Sequence, residues 1–355
     1  MSNSESKKKL SIIEIIQGGG FIALIFYSIL EGSFLSYVLL IFPITVIIVI
    51  LLHEIGHLIS GKILHYKLIA FKASLLTWEK ANRGFHFSLK QGFIDGFCSM
   101  IPTKKSLKIR NVIIFTLSGV CMNLITGVCF FLLGMSIESL SHLKIFSYFL
   151  GIFSLLSVLI NVYPCLTNGE PNDGLTVCNI IKSKSYACKF QEYQSIMLQL
   201  DKGCRVKDLA LPIQCSKIID HLDIYFFLLA YYREVEKKGV GEGSIIIKEI
   251  ENALILHPEL KNEKYVYEII VFHLINKKQG LVDKYGDFFT LLEEDYHDRN
   301  PMTLRVKAYF SWYIQENKEK TLEYIEKALS LNTELFYLGE RKIEQSFIND
   351  LKNRI

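Results

Sequence analysis

The segment from Pro43 to Lys62, PITVIIVILLHEIGHLISGK, constrains this chain more than any other. Ten residues without a charge lead into His53, Glu54 and His57, and no Lys or Arg occurs anywhere from Leu10 to Gly61. A run that long and apolar reads as a helix crossing a bilayer. A charged side chain at a bilayer centre costs about 2.5–3.5 kcal/mol or more, so ionisable residues at that depth are rare and mark working sites.

The spacing indicates the work. His-Glu-x-x-His sets two histidines at i and i+4, one turn apart on one helix face. Two imidazoles so placed can grip one Zn²⁺ from the same side. Glu54, one residue after the first histidine, is positioned to reach the water that such a metal activates and to act as general base. Gly56 is small enough for another helix or a substrate backbone to pass close by.

Half of the 355 residues are hydrophobic and the mean hydropathy is +0.27, too apolar for an ordinary soluble protein of this size. The net charge of +4 hides a segregation, with apolar residues in the first half and charges in the second. The simplest division is a cytosolic N-terminus (1–11), a membrane part (12–180) and a cytosolic helical domain (181–355). No small-residue cleavage site of a signal peptide follows the N-terminal SNSESKKKL. Eight cysteines without a Cys-x-x-Cys pair read as reduced thiols rather than a disulfide framework.

Four spans are expected, over about 12–30, 35–64, 112–135 and 145–163. Lys7, Lys8 and Lys9 place the N-terminus in the cytoplasm. From Lys62 to Arg110 ten Lys and Arg face only Glu79 and Asp95, so this loop also belongs inside. Its basic residues suit anionic lipid headgroups, and nothing accompanies them that would read nucleic acid. Segments 68–71 and 84–89 read as strands, with a turn at 82–84. The fold class is therefore mainly α: a polytopic helical core with a small β element in a cytosolic loop, followed by a soluble α-helical region.

Two polar features accompany the later spans. Asn123, in an otherwise apolar helix, needs a partner. It can donate to substrate backbone or to the oxyanion of a reaction, or it can hold helices together beside small residues. The fourth span runs out through Asn161, Pro164, Glu170 and Asn172-Asp173-Gly174. Two histidines need a third protein ligand to leave zinc one open position, and a carboxylate from another element is the usual solution. Asp173 fits, Glu170 is close enough in sequence to substitute, and Asp95-Gly96 is a second Asp-Gly pair in the basic loop.

Taken together, the His-Glu-x-x-His helix within the membrane, the Gly-x-x-x-Asn of the third span and Asn-x-x-Pro followed by Asp-Gly resemble the site-2 protease family of intramembrane zinc metalloproteases. The resemblance covers about residues 20–180. It implies that His53, His57 and Asp173 are zinc ligands, that Glu54 is the catalytic base, and that Asn123 and Asn161 are supporting polar groups. The substrate it implies is a transmembrane or membrane-tethered peptide, such as a regulatory protein, a signal-peptide remnant or a peptide-signal precursor. The chain departs from the family pattern at Gly119-Val120, where Gly-Pro is usual. It departs again in the extra residues between Pro164 and Asp173, where the family often has Leu-Asp-Gly soon after the proline. A membrane scaffold that keeps a zinc site without catalysis is the alternative, and the presence of Glu54 speaks against it.

Beyond Leu175 successive amphipathic helices are expected over 218–237, 243–256, 263–277, 280–295, 301–316 and 318–331, with a mixed stretch over 177–211 that packs a helix on the membrane surface. The last pair, with Ala308, Tyr324 and Ala328, is weakly similar to a tetratricopeptide helix pair and suggests a surface for a protein partner. His221, His257, His273 and His297 are isolated and form no catalytic cluster. The Lys- and Ile-rich single-chain design suggests a bacterial plasma membrane.

Overall fold

The computed structural model describes residues 34–355 apart from 75, 82–83, 90–95, 104–107, 140–141, 168, 212–216, 277–284, 287–299 and 336. It is mainly helical, with eleven α-helices among the described residues. Three of them are long and apolar enough to cross a membrane: α1 (Phe34–Ile63), α2 (Ile109–Ser136) and α3 (His142–Val162). The span expected over 12–30 lies outside the described residues.

In lipid, tails solvate leucine as well as a neighbouring helix does, so spans associate by close packing of small residues. α2 and α3 meet in that way. A Cβ on Gly127 would lie 2.8 Å from the Leu155 side chain, and one on Gly151 would lie 2.8 Å from the Phe131 backbone nitrogen. Leu124, Ile125, Leu132, Leu159 and Ile160 point outward and stay exposed, as a lipid-facing surface requires.

Between α1 and α2 lies a four-stranded antiparallel sheet: β1 (Tyr66–Ala73), β2 (Leu76–Ala81), β3 (Gly84–Leu89) and β4 (Gly96–Pro102), in the order β3-β2-β1-β4. The two strands read from sequence are thus not neighbours. β2 stands between them, pairing Phe71 with Trp78 on one side and Trp78 with Phe87 on the other. Its apolar residues face outward, Leu76 and Trp78 being exposed and Thr77 buried, which inverts the usual hydrophobic-in alternation and hides the strand from a pattern reading. β4 closes the other edge against β1, with a bulge between Leu68 and Ala70.

After α3 a small hairpin, β5 (Leu166–Thr167) with β6 (Glu170–Pro171), leads into α4 (Asp173–Lys182) and α5 (Lys184–Asp201). The stretch 177–211 is therefore more regular than expected. Ser183 separates the two helices, accepting the Tyr186 N–H at its hydroxyl as N-cap of α5. Next come α6 (His221–Lys238), α7 (Ser244–Leu256), α8 (Glu263–Ile275), α9 (Pro301–Tyr313), α10 (Lys318–Leu331) and α11 (Leu338–Arg354). Asp220, Asn262, Asn300 and Asn317 cap four of them with side-chain oxygens, the preference expected at these positions. The helix expected over 280–295 lies almost wholly outside the described residues. α11 is an addition to the expected set, burying Ile343, Phe347, Ile348 and Leu351 on one face. α9 and α10 pack as a pair, with Ala308 and Ala328 fully buried.

One hydrophobic cluster runs from Ile69, Ile101 and Val112 into the C-terminal helices. The sheet is pinned to α5 by Lys67, whose Nζ lies 2.6 Å from Asp201 Oδ2. Deep in the helical half, Arg305 is fully buried between Glu268 and Glu344, at 2.5 and 2.7 Å, with its guanidinium carbon 4.2 Å from the centre of the Phe347 ring. Tyr232 donates to the Glu268 carboxylate at 2.8 Å. Removing one member of such a set leaves uncompensated buried charge. Arg305→Ala is therefore expected to destabilise the protein by about 3–5 kcal/mol, read as a lowered melting temperature of the full chain in detergent.

Candidate metal centre

His53 and His57 lie on one face of α1, both buried, with their Nε2 atoms 3.2 Å apart. α2 passes directly over them. A Cβ on Gly119 would stand 2.5 Å from His57 Nε2 and 2.7 Å from His53 Nε2. Gly56 makes the reciprocal approach, its absent Cβ falling 2.5 Å from the Ser118 carbonyl oxygen and 3.0 Å from Gly119 Cα. The two glycines let the helices cross at the point where the imidazoles need room.

Asp173 completes the group from the first turn of α4. Its Oδ2 lies 3.2 Å from His53 Nε2 and 3.4 Å from His57 Nε2. Two ligands bonded to tetrahedral zinc at about 2.0–2.1 Å stand about 3.3–3.4 Å apart, so this triangle has the size such an ion requires. Asp173 Oδ2 is also buried and makes no well-aligned hydrogen bond, as expected of an oxygen kept for a cation. Among the described residues, His53, His57 and Asp173 are the group that offers three such ligand atoms within 4.8 Å of one another. Asp95 lies outside the described residues. The Glu170 carboxyl is not in the group. Burial raises its pKa, opposed by the Lys264 charge.

The residue before Asp173 explains how the carboxylate arrives. Asn172 is the N-cap of α4: its Oδ1 accepts from Leu175 N at 2.9 Å and from Cys165 N at 3.2 Å. Its Nδ2 donates to the carbonyls of Tyr163 at 2.7 Å and Ile160 at 3.1 Å, groups that the end of α3 leaves without helical partners. The backbone N–H of Asn172 bonds the Cys165 carbonyl at 3.1 Å, so the chain resumes where it left off and residues 166–171 are looped out as the β5–β6 hairpin. Gly174 permits the junction, since a Cβ there would fall 2.1 Å from the Val162 carbonyl oxygen. The extra residues relative to the family pattern therefore do not displace the acid.

A second set of contacts orients the imidazoles. His57 Nδ1 lies 2.9 Å from the Phe115 carbonyl, which fixes the proton on Nδ1 and turns the Nε2 lone pair toward the centre. His53 Nδ1 lies 3.3 Å from the Asn123 carboxamide, which is fully buried and also contacts Ser157 Oγ at 2.8 Å. Asn123 Oδ1 is otherwise without a partner. A half-turn of the amide presents that oxygen to His53 Nδ1–H and frees its Nε2 for a metal in turn. Asn123 thus sits behind His53 rather than in the cavity lining. Asn161 does line the cavity, donating to Ser157 O at 2.9 Å. Phe115, Gly119, Ser157 and Asn172 are contributors that the sequence reading did not single out for the centre.

The centre opens into a cavity of about 910 Å³. Val46, Val49, Ile50, Phe153 and Leu156 from the spans give it apolar walls, and Gly96, Phe97 and Cys98 of β4 form one side. Glu54 lines it too, 5 % exposed, with Gly96 so close that a Cβ there would be 2.8 Å from Glu54 Oε1.

The sequence model of peptidase family M50 matches residues 41–345. The chain belongs to peptidase family M50. M50 is a family of intramembrane, zinc-dependent metallopeptidases, the family that the site-2 proteases represent. The match reaches far beyond residue 180, so the M50 relationship includes most of the C-terminal helices as well as the spans. No curated protein and no solved structure matches the chain.

Two outcomes are expected for this M50 centre. Asn123→Ala should weaken zinc binding about 10–100-fold in chelator competition, whereas Asn123→Asp, which still accepts from His53, should retain it. Gly119→Ala should lower zinc content in the folded protein, because its methyl group occupies the space between the two Nε2 atoms.

Proposed function

We propose that this M50 peptidase hydrolyses a peptide bond of a membrane-spanning or membrane-tethered substrate near the cytosolic side of a bacterial plasma membrane. His53, His57 and Asp173 hold the zinc in this reading. The observation that carries it is the ligand-sized triangle of their three donor atoms at the end of an apolar cavity that Glu54 also lines. In this reading the N-terminus and the helical region 181–355 lie in the cytosol, the fourth span expected over 12–30 falling outside the described residues.

Zinc, when bound, supplies a water of lowered pKa and a positive charge for the carbonyl oxygen. Glu54 takes the proton of the attacking water and returns it to the leaving amine. Its buried carboxyl lies one residue from His53, so proton transfer takes place beside the ligands. Asn123 positions His53, and Asn161 keeps a polar group on the cavity wall. Regulatory membrane proteins, signal-peptide remnants and peptide-signal precursors share the required form: an apolar segment that can be unwound so that its carbonyl is accessible.

The sheet supports the handling of unwound substrate. β4 is an outer strand and also a wall of the cavity, so an extended peptide can add to its edge with main-chain hydrogen bonds. Proline scanning through 97–99 is expected to slow cleavage at the position whose N–H points away from β1, without loss of zinc. Unchanged cleavage at every position removes strand addition from the mechanism.

The decisive comparison uses a panel of single-span peptides. Glu54→Gln should retain zinc and lose cleavage by at least about 100-fold, the scale of a missing general base. Retention of cleavage in that variant rejects the hydrolase assignment. Asp173→Ala should lose zinc while Glu170→Ala keeps it.

A further inference from the structure

A second cavity, of about 380 Å³, adjoins the first, with Glu170, Pro171, Asp173 and Asn262 in the lining of both. Its remaining walls come largely from the C-terminal helices. Tyr193 of α5 and Tyr225 of α6 meet edge to face there, with ring centres 5.3 Å apart. Tyr265 of α8 and Tyr337, the N-cap of α11, add two more phenol rings. Four electron-rich rings line the space.

The charges in the walls do not balance. Glu170 and Glu340 bring two carboxyls, and Lys264 brings one ammonium. Lys264 is engaged with Glu340 at 3.9 Å and lies 5.2 Å from the centre of the Tyr225 ring. Lys264 is also the cation whose charge acts on Glu170. His221, the remaining basic group in the wall, is kept neutral because burial pushes its pKa down to about 4. Asp173 is committed to the metal centre. The walls therefore set two carboxyls, Glu170 and Glu340, against one ammonium, and Glu170 stands three residues before Asp173.

We propose that this cavity is a subsite for one basic side chain, Lys or Arg, of the peptide bound at the metal centre. The methylene stem lies along the tyrosine rings, the cationic end meets Glu170, and the ring faces add cation–π attraction. An acidic side chain is repelled there. A neutral apolar one buries Glu170 without a counter-charge. Glu170 is exposed, so an incoming cation can reach it, and Lys264 is already engaged with Glu340. The position of Glu170 beside the metal ligand places the basic residue within a few residues of the scissile bond. The subsite also gives the C-terminal helices a role in substrate choice. It presupposes the peptide-cleaving reading given above.

The test uses full-length protein in detergent and single-span peptides of leucine and alanine, with each position in turn changed to lysine, arginine, norleucine or glutamate. Norleucine matches the lysine stem but lacks the charge. Cleavage is measured with the wild type, and equilibrium binding of the same peptides with the Glu54→Gln variant. At one position lysine and arginine should exceed norleucine by on the order of tenfold in both measurements, with glutamate the poorest. Glu170→Gln should bring the lysine-to-norleucine ratio near one. Lys264→Met, which removes the competing cation, should raise it. The opposite response to these two variants separates a local charge effect from a damaged fold. Equal binding of lysine and norleucine peptides at every position overturns the subsite, as does a ratio unmoved by Glu170→Gln. If the wild type cleaves nothing while the binding ratios behave as described, the subsite stands and the hydrolase reading falls. If cleavage depends on Glu54 but the ratios are flat, the reverse holds.

Discussion

The structure depends on keeping three side chains able to hold a metal, His53, His57 and Asp173, solvated by protein where lipid cannot solvate them. Histidine nitrogens and a carboxylate buried among apolar helices are tolerable only if every polar atom has an assigned partner. His57 uses the Phe115 carbonyl at 2.9 Å, and His53 uses the Asn123 carboxamide, itself supported by Ser157. The atoms left over, two Nε2 and Asp173 Oδ2, converge within 3.4 Å. Helix packing follows from the same demand. The helix crossing occurs at the imidazoles: a Cβ on Gly119 would meet both Nε2 atoms, and one on Gly56 would meet the Ser118 carbonyl of the other helix. Small-residue packing in the membrane and the metal centre are thus one constraint.

The third ligand solves a different problem, that of carrying a carboxylate from a loop to a fixed point. A free loop would lose conformational entropy each time it brought Asp173 into place. Here Asn172 removes that freedom by bonding both ends of the junction, the Ile160 and Tyr163 carbonyls at the end of α3 and the Leu175 N–H in the first turn of α4. Asp173 then sits in the first helical turn, where the positive end of the helix dipole also favours its charge. The residues between Cys165 and Asn172 close on themselves as a hairpin. That is why a longer connection than the family pattern leaves the ligand triangle intact.

The sequence exposed the spans and the paired histidines because both rest on local signals, long uncharged runs and a fixed i, i+4 spacing. All three described spans were read within three residues of their observed ends. The Asn-Asp-Gly run was also visible, but its role depends on contacts with Tyr163 and Ile160, to which no periodicity points. Gly119 reads in sequence as packing; only the distance to two Nε2 atoms shows it as part of the centre. The sheet was half legible. β2 was hidden because Trp78 and Leu76 face outward, and β4 because GFCSMIP has no clean alternation. α11 carries its apolar residues at helical spacing, yet its polar composition masks them until Phe347 is seen packed over Arg305.

The C-terminal helices treat charge in two contrasting ways, and the contrast bears on what they do. Around Arg305 every donor is paired: Glu268, Glu344 and Tyr232 close the set, and Phe347 covers the guanidinium. Such a closed network fixes the arrangement of α8, α9 and α11 relative to one another and leaves nothing for a ligand. Around Glu170 the charges are unequal and the space is open. The space is lined rather than filled, and its carboxyls outnumber its ammonium. The helices that hold Arg305 rigidly are the same ones that place Lys264, Tyr265 and Glu340 around the cavity. A rigid scaffold behind an unbalanced, aromatic wall is the arrangement that selection of a ligand requires, because binding groups discriminate only when the elements that carry them hold them in place.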